Sequence, residues 1–156
     1  MQIHPYDRSM AFTSIYIIIP AMLCENPLFL AMILQTFFSI LHWVNYNSYI
    51  LHAIDVSLSS IIFIWHIVLL FYIQLLHKIY AFNFCILALI TFYYRRGIRK
   101  RALKKYNIIY LLPHALFRFF SFWFVMFVHQ QKWSYDLTLI YWWSVIILGL
   151  PIKNIN

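Results

Sequence analysis

Charge is the scarcest property of this chain. Only 10% of its 156 residues are Asp, Glu, Lys or Arg, and only four of those are acidic. A soluble domain carries about 25%. A water-soluble fold of this size cannot hide the 64% of residues that are hydrophobic, so lipid must receive much of that surface. Glycine is nearly absent too, with two residues. Gly97 lies in a basic stretch and Gly149 stands alone, which excludes helix packing through GxxxG motifs. There are two cysteines, Cys24 and Cys85. They are isolated, which excludes a disulfide framework and a zinc knuckle, and both read as small buried hydrophobes. No nucleotide-binding loop, HExxH or GxSxG motif occurs. No internal repeat or low-complexity linker divides the chain.

What is abundant is apolar and aromatic. Mean hydropathy is +0.76 and 21% of residues are aromatic. Ile, Phe, Tyr and Asn are frequent, a bias that AT-rich coding in a virus, an organelle or a parasite would also produce. Six apolar segments stand out: Met10–Leu23, Leu28–Val44, Ile50–Leu76, Ile79–Tyr94, Ile108–Val128 and Leu137–Leu150. The expected fold is all-α, a polytopic transmembrane helical bundle of about six spans, with four to six allowed by the short first and last segments. It forms a single transmembrane domain over residues 1–156. Arg8 followed by Ala11 to Leu23 also resembles a signal peptide; the segment is read as a retained first helix.

The net charge of +8 is concentrated at Arg95, Arg96, Arg99, Lys100, Arg101, Lys104 and Lys105. A basic cluster beside a span marks the cytoplasmic side and lies against anionic lipid. The expected topology therefore places the basic loop 95–107 and both termini in the cytoplasm, with Arg8 and Lys153 in agreement. Partners are the lipid bilayer, with anionic lipid at 95–105, and other membrane proteins; nucleic acid is not expected. Trp43, Tyr94, Trp133 and Trp142 suit an interfacial belt.

Three polar stripes interrupt the apolar segments. Gln35, Ser39, His42 and Tyr46 form one; His52, Asp55, Ser59 and His66 the second; Tyr110, His114, Arg118 and Ser121 the third. Steps of three, four or seven put each set on one helix face, and polar groups in hydrocarbon usually face a bundle interior or a cavity. Counting ~1.5 Å per residue from the basic side brings His42, His52, Asp55 and His114 to one depth, with Arg118 one turn deeper. His66 falls further along the same face. His4, His77 and His129 fall at segment ends or loops and read as surface residues.

Two readings of this layer stay open. In one, His42 and His114 bind a metal, zinc by ligand type, with Asp55 as a third ligand or orienting group and Ser39 holding a water or an oxyanion. In the other, Asp55 pairs with Arg118 and the histidines complete a structural polar network.

The residues that carry the first reading give the chain a resemblance. Ser39-Ile40-Leu41-His42, Asp55 and His114-Ala115-Leu116-Phe117-Arg118 resemble the motifs of the CREST superfamily, which includes alkaline ceramidases, progestin/adipoQ receptors and related membrane hydrolases. The family pairs Ser with His in its second span, places Asp in the third and carries HxxxH in the last. The resemblance implies zinc held by His42 and His114, catalysis assisted by Ser39 and Asp55, and hydrolysis of lipid amides. The chain differs in having two residues rather than three between Ser39 and His42, and Arg118 in place of the second His of HxxxH. It also has a further hydrophobic segment after that motif. The alternative functions are a non-catalytic membrane subunit or accessory protein, viral or organellar, and a small channel or transporter whose stripes line an ion path.

Overall fold

The computed structural model describes residues 5–45, 48–101 and 108–149, with side chains at 8–45, 48–94 and 111–148. Tyr46, the side chain of Tyr110, those of the basic run, His4 and Lys153 lie outside the described residues. The described chain is helical without strands: α1 Pro5–Ile15, α2 Ile18–Ala21, α3 Leu28–Val44, α4 Tyr49–Leu69, α5 Leu75–Arg101, α6 Ile108–Val128 and α7 Tyr135–Gly149. A 3₁₀ turn over Leu70–Tyr72 extends α4.

Three stretches are long and apolar enough to cross a membrane: Tyr49–Tyr72, Leu75–Tyr94 and Leu111–Val128. Helices at Leu28–Val44 and Tyr135–Leu148 are apolar but shorter. The outer faces of α4 and α5 expose large apolar side chains, among them Ile61 and Ile90, each at 58%. Exposed apolar surface over so large an area is unusual for a chain in water and suits lipid.

α6 is the central helix. Ala115, Trp123 and Phe124 are fully buried. α5 packs antiparallel along it through a ladder of rings: Tyr80 stacks on Phe127, Phe84 meets Phe120, and Phe92 meets Phe117. On another side Phe119 contacts Tyr141 and Trp142 of α7, and Trp123 stacks on Trp133 at 4.3 Å. With so little glycine, these aromatic contacts replace close backbone approach. Tyr141 also donates to the carbonyl of Ala115 at 2.7 Å, which ties α7 to α6 where water is excluded.

Several expected boundaries move, each for a local reason. The segment Met10–Leu23 is two helices rather than one. Pro20 has no N–H for the carbonyl of Tyr16 and its ring crowds that carbonyl; Ile19 N bonds there instead, at 3.2 Å. The break between the third and fourth segments falls at Ile73-Gln74, ahead of the expected His77-Lys78. Lys78 Nζ reaches back to the carbonyl of Phe71 at 3.1 Å, a cation closing a helix C-terminus. The basic run is no loop as far as Arg101, because α5 continues through it. Gly97 is accordingly part of a helix. Ser48 and Ser134 cap α4 and α7, accepting from Leu51 N and Leu137 N, each at 3.3 Å.

α6 ends in a tight reversal. Gln131 N bonds to the carbonyl of Met126 and Gln130 N to that of Phe127, each at 2.9 Å, with Gln130 at φ 56°. This is a Schellman motif whose left-handed position is usually glycine, and it aims the preceding His129 back at the bundle. A side chain costs about 1 kcal/mol in that conformation. Gln130→Gly should therefore raise the apparent Tm of detergent-purified protein and Gln130→Val should lower it. A lower Tm for the glycine variant would contradict this account of the turn.

Candidate functional site: a polar cavity within the bundle

The three stripes face one another. α3 runs toward the end of the bundle at which α4 begins, so His42 and His52 sit on either side of that turn, with ring centroids 4.8 Å apart. Trp43 meets His114 of α6 edge to face at 4.9 Å. Deeper in the bundle Gln35 bridges α3 to α4: its Nε2 donates to Ser59 Oγ at 3.0 Å and to Asp55 Oδ1 at 3.4 Å. These groups line a cavity of about 460 Å³. His52, Asp55, Ser59 and His66 all contribute to its wall. Along α4 the span from His52 to His66 is 14 residues, roughly 21 Å. Most of the remaining wall is apolar, including Ile17, Val56, Ile62, Phe63 and Val125.

Arg118 is the hub of one wall. Its Nε donates to His114 Nε2 at 3.1 Å, one helical turn back. One terminal nitrogen donates to the carbonyl of Met10 at 3.0 Å and to the hydroxyls of Thr13 and Ser14. The other donates to Ser39 Oγ at 2.8 Å. Ser14 in turn donates to Ser39 at 3.1 Å. The guanidinium also lies 5.9 Å from the Trp43 ring centroid, a cation–π distance. Three helices, α1, α3 and α6, thus converge on one cation.

These contacts assign chemistry to the expected residues. Because Arg118 is always protonated, His114 Nε2 must be the accepting nitrogen, so His114 is neutral with its proton on Nδ1. The lone pair that a metal at His42 and His114 would use is directed at a cation. Ser39 is fully buried and lies behind the guanidinium rather than on the cavity wall. Asp55 takes its hydrogen bond from Gln35, while Arg118 is held by neutral oxygens and His114. An Asp55–Arg118 ion pair is not among the contacts of the described residues. Ser121 Oγ lines the cavity, buried and with no hydrogen-bond partner among the described residues.

The metal-capable grouping among the described residues lies elsewhere. Cys24, His66 and His129 place their ligand atoms within 4.8 Å of one another. Cys24 follows α2, His66 lies near the end of α4, and His129 follows α6, so the three meet at the end of the bundle opposite His42 and His52. Cys24 is half-buried among ligand-type side chains rather than a plain buried hydrophobe, and His129, in the turn after α6, is half-buried too. Burial pushes the Cys24 thiol up to about 11 and pushes His129 below the usual imidazole range. Both shifts reflect the cost of charging a group away from water.

The sequence reading missed two sets of residues. Thr13 and Ser14 looked like ordinary residues of an apolar segment, yet they supply oxygens to Arg118. Cys24, His66 and His129 share a depth that the same counting along the helices would have found, had it been applied to the far end.

No family model, curated protein or solved structure matches the chain.

Arg118 is part-buried, and removing one acceptor from its cation costs up to about 1.5–3 kcal/mol. Ser14→Ala should lower the apparent Tm in detergent, and Ser14→Thr, which keeps the hydroxyl, should lower it less. Equal Tm values for Ser14→Ala and the unmodified chain would contradict the contact.

Proposed function

We propose that the protein is a multi-pass membrane protein whose cavity binds an amphiphilic ligand, a single-chain lipid or a lipid amide. The carrying observation is the cavity, about 460 Å³ in volume, apolar along most of its wall with a stripe of polar groups that is densest around His42, His52 and Asp55. Small-molecule sites commonly occupy roughly 300–1,000 Å³ and combine an apolar lining with a few oriented polar groups. Here the histidines offer donors, and Asp55 offers an acceptor. That pairing fits a head group that both donates and accepts, as an amide or a hydroxyl does, better than a bare anion. The tail would lie along Val56, Ile62, Phe63 and Val125.

The same reading takes the chain across the bilayer about six times. α3 to α7 supply five crossings and the broken α1–α2 pair supplies the sixth. α3 and α7 span only about 22–26 Å at 1.5 Å per residue, which local thinning of the bilayer accommodates. The basic end of α5 then lies in the cytoplasm against anionic lipid, together with both termini.

Hydrolysis of a lipid amide at this cavity, as the resemblance to the CREST superfamily implies, needs more. Arg118 would have to leave His114 Nε2 before a metal could bind there, and Ser39 would have to reach the cavity. Ligand binding without chemistry needs neither change.

Ser60 lies at the exposed rim of the cavity, and its hydroxyl bonds to the carbonyl of Val56 in its own helix. Ser60→Trp should obstruct the open side of the cavity without disturbing the polar network. Mass spectrometry of lipid extracts from purified protein should find an amphiphile in the unmodified chain that is depleted in Ser60→Trp. Equal retention by both would contradict a ligand in this cavity.

A further inference from the structure

The cluster at the far end of the bundle has the geometry of a coordination site. His129 Nε2 lies 3.4 Å from His66 Nε2 and 3.2 Å from Cys24 Sγ. Two imidazole nitrogens at tetrahedral positions on zinc, each at about 2.0–2.1 Å, are separated by about 3.4 Å. A nitrogen and a sulfur on the same ion are separated by about 3.6 Å. The His129–His66 edge matches the first and the His129–Cys24 edge falls slightly short of the second, while the ion would draw in the third, Cys24 Sγ to His66, which is bounded at 4.8 Å.

Orientation supports the same conclusion. His66 is fully buried, and its Nδ1 lies 2.7 Å from the carbonyl of Ile62. A carbonyl only accepts, so the proton is on Nδ1 and the Nε2 lone pair points into the cluster. A backbone carbonyl fixing the far nitrogen in this way is the usual support of a metal-binding histidine. A fourth donor is at hand: Met32, 1% exposed, places its Sδ 3.4 Å from Cys24 Sγ.

We propose that Cys24, His66 and His129 bind a soft transition-metal ion, zinc or copper, with Met32 as a weak fourth donor. A thiolate, two imidazoles and a thioether exclude calcium and magnesium, which take oxygen ligands. Zinc is satisfied by the thiolate and imidazoles alone, whereas copper also favours the thioether. Binding displaces the Cys24 thiol proton to solvent, and the ion ties the chain after α2 to the ends of α4 and α6. The site is independent of any ligand in the polar layer: His66 is one wall of the cavity, and the metal would close that end of it.

The test uses the full chain in detergent. After chelation, titration with cobalt alone should give a thiolate-to-cobalt charge-transfer band together with the visible bands of a tetrahedral site. Metal analysis of protein loaded with zinc or copper and then desalted should find about one ion per chain. Cys24→Ala should abolish the charge-transfer band, and His129→Gln should lower retained metal at least about tenfold, a loss of 1.4 kcal/mol or more. Cys85→Ala should change neither. Met32→Leu separates the metals: selective loss of copper identifies a copper site, and unchanged retention of both identifies a zinc-type site without the thioether. No cobalt band in folded unmodified protein, or full metal retention by Cys24→Ala and His129→Gln, would overturn the proposal. The unmodified chain alone decides the matter if a variant fails to fold.

Discussion

A guanidinium inside an apolar bundle must have its donors satisfied, and the arrangement around Arg118 follows from that constraint. The charge cannot be shed, because arginine stays protonated in proteins, and leaving it unsolvated in hydrocarbon is costly. The chain supplies a carbonyl and three hydroxyls from α1 and α3, an imidazole from α6 itself, and the face of Trp43. These dipoles and the ring face stabilise the cation much as a shell of polar solvent would. The donors are rigidly forked, and that geometry orients three helices at once. α1, which has no long apolar run of its own, is tied to the bundle by this contact, by the buried side chain of Met10, and by the bonds of Arg8 and Ser9 to the carbonyls of Leu148 and Val145 in α7.

That arrangement has a chemical consequence at one end of the cavity. Arg118 occupies the lone pair of His114 that a metal would need, so the polar layer is suited to hydrogen bonding rather than coordination. At the other end the balance is reversed. No cation approaches His66 and His129 among their described contacts, a carbonyl fixes the tautomer of His66, and sulfur is close. The two ends of one cavity therefore offer different chemistry: polar hydrogen-bonding groups near His42 and His52, and soft ligand atoms near Cys24.

Much of this was legible in the sequence, and the failures have physical causes. α3 and α6 have the expected limits, Leu28–Val44 and Ile108–Val128, because proline, polar turn residues and long apolar runs bound them. The polar stripes were readable because helical spacing fixes their faces whatever the packing. The kink at Tyr16–Ile17 was hidden inside an apolar run, where Pro20 was the only mark of it. The start of α5 lies inside an apolar run, and the lysine that reaches a carbonyl seven residues back across the break leaves no mark in the periodicity. The oxygens of α1 around Arg118 were hidden for another reason. Thr and Ser are compatible with an apolar helix, and only three-dimensional packing shows that they face a charge. The same holds for Cys24, His66 and His129, which are 42 and 63 residues apart in turn.

The account rests on the coupling between Arg118 and its oxygens, and a double-mutant cycle on Ser39→Ala and Arg118→Met measures it directly. Unfolding of the four proteins in one detergent should give a coupling energy of about 1.5–3 kcal/mol, the range for a hydrogen bond to a charged group. Additivity of the two substitutions within about 0.5 kcal/mol would mean that the two side chains do not interact, and would contradict the central role given to this cation.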